Sequence, residues 1–82
     1  MAGEAVKEIV KQYFPQVIQQ DMLRYELLFE DVQEIRCRVE RPLILRLKQG
    51  LEQSVVERLT MEQMQHIVSR IKNECVEEKE IY

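Results

Sequence analysis

The sequence predicts an α+β domain: a small antiparallel sheet of two or three strands, with two N-terminal helices and one C-terminal helix. Three observations carry this. Apolar residues recur every three to four positions through the first 29 residues, the spacing of one helical face. Between Val32 and Lys48 the spacing drops to two, the period of a half-buried strand. Thr60-Met61-Glu62-Gln63 then has the form of a capping box and opens a new helical period.

The first helix is predicted over Ala2 to Phe14, with Val6, Ile9, Val10, Tyr13 and Phe14 on its apolar face. Glu4 with Lys7, and Glu8 with Lys11, decorate the other side as neighbours three residues apart. Pro15 ends or kinks this segment, because the residue before a proline avoids the helical region. It also suits the first position of a new helix, predicted from Pro15 to Phe29 with Val17, Ile18, Met22, Tyr25, Leu28 and Phe29 as its stripe.

From Val32, the residues Ile35, Cys37 and Val39 point one way and Glu34, Arg36, Arg38 and Glu40 the other. Arg41-Pro42 marks a bend, since proline cannot donate to a central ladder. Leu43, Leu45 and Leu47 alternate with Ile44, Arg46 and Lys48 in a second strand. Gly50 is expected at a second turn, and Gln53 to Arg58 as a short third strand. The last helix, opened by Thr60, is predicted to bury Met61, Met64, Ile67, Val68, Ile71 and Cys75. Glu77, Glu78 and Glu80 follow at its end, where negative charge is unfavourable.

Eighty-two residues correspond to a single domain, residues 1–82, with a small core. Hydrophobic content of 45% beside 33% charged residues is ordinary for a folded domain. No cationic start followed by an apolar run marks a signal peptide. The apolar runs are far shorter than the ~20 residues that cross a bilayer, so no membrane span is expected. Two cysteines, Cys37 and Cys75, do not make a disulfide framework. A cytoplasmic location with both thiols reduced is the expectation.

Little in the chain suggests catalysis. His66 is the only histidine, and Cys75 lies about 180° around the same helix, so the two cannot share a metal there. Neither glycine belongs to a phosphate loop. No cofactor and no enzymatic activity are expected. Arginine is the unusual component. Arg36 and Arg38 share one face of the first strand, and Arg46 and Lys48 the polar side of the second. A hairpin would gather these four cations on one surface, suited to phosphate through forked hydrogen bonds. The plain alternative is a solvated sheet face on which Glu34 and Glu40 pair with them across strands. No nucleic-acid partner is favoured: the net charge is −3 and no aromatic residue lies between Phe29 and Tyr82, whereas single-strand binders stack bases on aromatics.

The stretch Val32 to Leu47, VQEIRCRVERPLILRL, resembles the start of stage III sporulation protein AA, a family built around a secretion-type ATPase. Glu34, Ile35, Arg36, Arg38, Arg41, Pro42 and Leu43 match the family's EIRxRxxRPL pattern position for position. YFPQVIQQDM upstream, LTMEQMQHIVSRIKN downstream and EEKEI near the end resemble the flanking helices and the acidic segment before the ATPase core. The chain departs from the family in lacking that core and in carrying ECVE after Asn73, where the family often has an aromatic-rich step.

The resemblance implies a non-catalytic N-terminal regulatory or assembly domain. It would pack against an ATPase core or neighbouring subunits of a ring, in the cytoplasm and peripheral to a sporulation membrane complex. Arg36 and Arg38 would then face nucleotide phosphates, with Arg41 third because it lies at the bend. A free-standing interaction module, such as a small homodimer, is the alternative. Weak nucleic-acid binding through the basic hairpin comes last.

Overall fold

The structure, a computed structural model, describes residues 2–74. Its elements follow the predicted order: α1 (Gly3–Tyr13), α2 (Gln16–Leu23), a 3-10 segment (Glu26–Asp31), β1 (Val32–Arg36), β2 (Leu43–Leu47), β3 (Glu52–Val56) and α3 (Met61–Glu74). The fold is α+β, with helices covering one face of a three-stranded antiparallel sheet ordered β1-β2-β3.

α1 buries Val6, Val10 and Tyr13, the face its periodicity marks. Phe14 leaves the helix with φ −104° and ψ 144°, the extended geometry that Pro15 imposes on its neighbour. Gln19 donates from Nε2 to the carbonyl oxygens of Phe14 at 2.8 Å and Lys11 at 3.3 Å. Carbonyls left without an intrahelical donor at the end of α1 thereby find a partner. Lys7 reaches Glu26 on the 3-10 segment at 2.9 Å rather than pairing along its own helix. The hydrogen bond to that carboxylate, with its charge, raises the Lys7 pKa above the ordinary lysine value.

The long second helix is corrected. α2 stops at Leu23, and the chain tightens into three-residue turns, with Tyr25 donating to the Met22 carbonyl and Leu28 to that of Tyr25, both at 2.9 Å. Ile18, Met22 and Phe29 stay in the core. Val17, 66% exposed, leaves the expected stripe, and Leu27 on the 3-10 segment is 97% exposed. Tighter winding rotates side chains by about 120° per residue instead of 100°, so one α-helical stripe cannot describe the whole of 15–29.

β2 is the centre of the sheet. Leu43, Leu45 and Leu47 are buried, while Ile44 and Arg46 turn outward. Each edge strand carries an irregularity. The β1–β2 register shifts between Val32 and Glu34, so Val32 and Ile35, three apart, both reach the core. Strict alternation would place them on opposite faces; a bulge at Gln33 resolves the conflict. The β2–β3 register shifts opposite Leu43 and Ile44, and Val55 is buried beside a half-buried Val56.

Two connections depend on left-handed backbone. Between β2 and β3, Gln49 and Gly50 have φ of 63° and 76°, the pairing that suits a type I′ hairpin turn. Between β1 and β2 the reversal comes before Pro42: Arg41 donates to the Arg38 carbonyl at 3.2 Å, and Glu40 sits at φ 62°. Segment 39–41 is then clamped to the chain before α3. Glu40 donates to the Leu59 carbonyl at 2.6 Å, and Leu59 donates to the Arg41 carbonyl at 2.9 Å.

α3 begins with the predicted reciprocal cap. Thr60 N–H donates to Gln63 Oε1 at 3.0 Å and Gln63 N–H to Thr60 Oγ1 at 3.1 Å. The α3 stripe is narrower than predicted: Ile67 is buried and Met64 and Ile71 are half-buried, but Met61 is 54% and Val68 37% exposed. Cys75 and the acidic Glu77, Glu78 and Glu80 lie outside the described residues.

Replacing Thr60 with alanine removes one half of the cap and is expected to cost about 1 kcal/mol, measured as a lower urea midpoint with an unchanged m-value. At position 40 the left-handed backbone ranks substitutions by steric tolerance. Stability is expected to fall in the order Gly, Asn, Glu, Val, with Glu40→Gly gaining about 0.5 kcal/mol after its entropy cost. Thermal melts of the four proteins check that order.

Candidate functional site

The outer face of the sheet is built by strand parity. Registers Glu34↔Arg46 and Arg46↔Glu52 align three charged residues across the strands, with Arg36↔Ile44 and Ile44↔Ser54 beside them. One oxygen of Glu34, Oε1, lies 3.4 Å from an Arg36 nitrogen and 3.3 Å from an Arg46 nitrogen. Arg46 also approaches Glu52 Oε2 at 3.7 Å. All four side chains are between about a quarter and a half exposed. Such pairs contribute roughly 0–1 kcal/mol each; their main effect is to neutralise the face.

The ends of the strands therefore separate the predicted cations. Arg36 and Arg46 do share a surface, but Glu34 holds both. Lys48 and Arg38 do not join them. Lys48 follows the β2 end that pairs with Val32 and lies 3.7 Å from Asp31. Arg38 lies past the opposite end of β1, where Arg36 pairs with Ile44. The four-cation patch expected from the hairpin is thus split between two ends of the sheet. Glu34 takes the cross-strand role foreseen for it; Glu40 does not, because its left-handed conformation directs it to Arg58 at 3.2 Å.

Arg38 and Arg41 occupy the first and last positions of the 38–41 turn, and both are exposed. Among the described residues neither side chain forms an ion pair. Arg58 is brought beside this bend by the bridge between Val39 and Leu59. Sequence reasoning missed it, because a single parallel bridge between residues twenty apart leaves no periodic trace. The bend thus carries Arg38 and Arg41, with Arg58, paired to Glu40, on the neighbouring segment. Such groups can take an anionic partner through forked, charge-assisted hydrogen bonds.

Cys37 lies next to this end of the sheet, facing inward and buried. Burial pushes its thiol pKa up to about 12, because an apolar surround penalises the thiolate. Among the described residues, no group of three or more His, Cys, Asp or Glu side chains could hold a metal ion, and His66 is exposed on α3. No helix of the described residues is long and apolar enough to cross a membrane.

The raised Cys37 pKa predicts an inert thiol. In a Cys75→Ser background at pH 8, Cys37 should stay unreactive towards a disulfide reagent while the protein is folded, and react fully once denaturant unfolds it. Comparison with family models, with curated proteins and with solved structures finds no match to this chain.

Proposed function

We propose that the chain is a non-catalytic regulatory or assembly domain that docks on an anionic partner surface through the bend between β1 and β2. In the specific form suggested by the sequence resemblance, the partner is the ATPase core of a stage III sporulation AA-type protein, or a neighbouring subunit of its ring, and the arginines face bound nucleotide. One observation carries the reading. The EIRxRxxRPL residues Glu34 to Leu43 run from the edge strand β1 through the bend to the first residue of β2, and Arg38 and Arg41 in the bend are exposed and without an ion pair among the described residues.

The geometry reorders the candidates. Arg36 already shares Glu34 with Arg46, so an anion approaching it meets a carboxylate first. Arg38 and Arg41 have no ion pair among the described residues, and Glu40 between them is held by Arg58, which favours them as the leading pair. Arg36 keeps a positioning role, tying the outer face together one turn of the pleat away.

The test is a titration of this domain against the separate ATPase core, read by calorimetry at two salt concentrations. Binding that weakens with salt, and that falls at least about tenfold in an Arg38→Ala/Arg41→Ala variant, is expected for desolvated charge-assisted contacts. Absence of binding at low salt overturns the reading. So does unchanged ATPase turnover when both arginines are replaced in a full-length protein.

A further inference from the structure

Beside its core-facing side α3 carries an apolar strip that the core covers only in part. Its inward residue is Ile67, flanked by half-buried Met64 and Ile71. Met61, Val68 and Lys72 lie roughly 100–140° around the helix from Ile67. Together with Met64, Gln65 and Ser69 they line one shallow groove. Among the described residues, Met61 and Val68 are two of the large apolar side chains left exposed. The stripe runs almost the length of the helix, with Glu62 in the first turn and Lys72 in the last.

That distribution of charge selects the occupant. We propose that this face pairs with α3 of a second copy of the chain, antiparallel, about a two-fold axis between Gln65 and Val68. In this arrangement Glu62 in the first turn of one helix lies beside Lys72 in the last turn of the other, and the pair is made twice. The helix dipoles are also opposed, which is favourable. Met61 lies along the aliphatic stem of Lys72 of the second copy, and Met64 sits opposite the small Ser69. A two-fold contact of this kind is isologous and closes at two copies. A parallel pairing would set Glu62 against Glu62 and Lys72 against Lys72. This surface is independent of the arginine bend, and either can hold without the other.

A contact confined to one 14-residue helix falls short of the roughly 800 Å² per partner of a standard interface. Pairing is therefore concentration-dependent and is read by sedimentation equilibrium of the full chain, from micromolar into the millimolar range. The wild-type chain should pass from monomer to dimer. Val68→Glu should weaken association about tenfold or more, and Glu62→Lys, which turns two exposed attractive pairs into repulsive ones, by about threefold or more. The double variant Glu62→Lys/Lys72→Glu should restore it, since reversed charges still match in the antiparallel arrangement. A chain that stays monomeric throughout overturns the proposal and leaves the face to a different occupant. Association insensitive to these substitutions, or a charge swap without rescue, overturns it as well. Glu62 is exposed, so its variants remain informative if Val68→Glu fails to fold.

Discussion

Burial of Leu43, Leu45 and Leu47 on one side of β2 is the constraint on which the rest of the molecule depends. Each is at most 8% exposed, and losing one such side chain typically costs 2–5 kcal/mol. A strand has two faces, so committing three leucines inward commits Ile44 and Arg46 outward. Register then does the rest. Once Arg46 faces out in the central strand, its neighbours Glu34 and Glu52 must face out too, and a carboxylate–guanidinium–carboxylate row forms across the sheet. A slip of one residue would reverse every one of these assignments, so hydrophobic burial in the middle strand fixes the charge pattern on the outer face.

The edge strands satisfy the same core by local exceptions. Val32 and Ile35 cannot both face inward on a regular strand, and neither can the adjacent Val55 and Val56. A bulge in each edge strand reconciles them with the leucines. Placing the irregularities on the edges leaves the central ladder intact and also makes the edges poorer templates for pairing with another chain. The bend is secured differently. Glu40 adopts a conformation that costs a non-glycine residue about 1 kcal/mol, and two backbone hydrogen bonds to Leu59 hold it there. Leu59, wholly buried, anchors that clamp in the core just before Thr60 caps α3.

How much of this was legible depended on whether the cause was local. The helix stripe of α1, the leucine alternation of β2, the Gly50 turn and the Thr60–Gln63 cap each arise within a few consecutive residues, and each is visible in the sequence. Inward-facing Cys37 followed from the same parity. The end of α2 was not legible, because no glycine or proline marks Leu23 and the tighter winding after it reflects packing of the 3-10 segment against α1. The bulges were hidden because each is a disagreement between two strands. The candidate site was half legible: Arg36 and Arg38 were identifiable by type and spacing and Arg41 through the resemblance, but their division into paired and unpaired groups needed the register. Arg58 needed a tertiary bridge. The α3 stripe was read too wide, since periodicity says which residues share a side and not how much of that side the small core covers.

Leu59 also joins the two exposed features. Its backbone groups clamp the arginine bend, and its side chain fills the position immediately before the helix cap, with Met64 at the place where a hydrophobic staple closes. Met64 in turn borders the open stripe of α3. The path from Arg41 to that stripe therefore runs through a hydrogen bond, a buried leucine and a capped helical turn. A partner that drew the bend away from Leu59 would have to break the clamp or carry the first turn of α3 with it. One fully buried side chain thus stands between the bend and the first turn of α3.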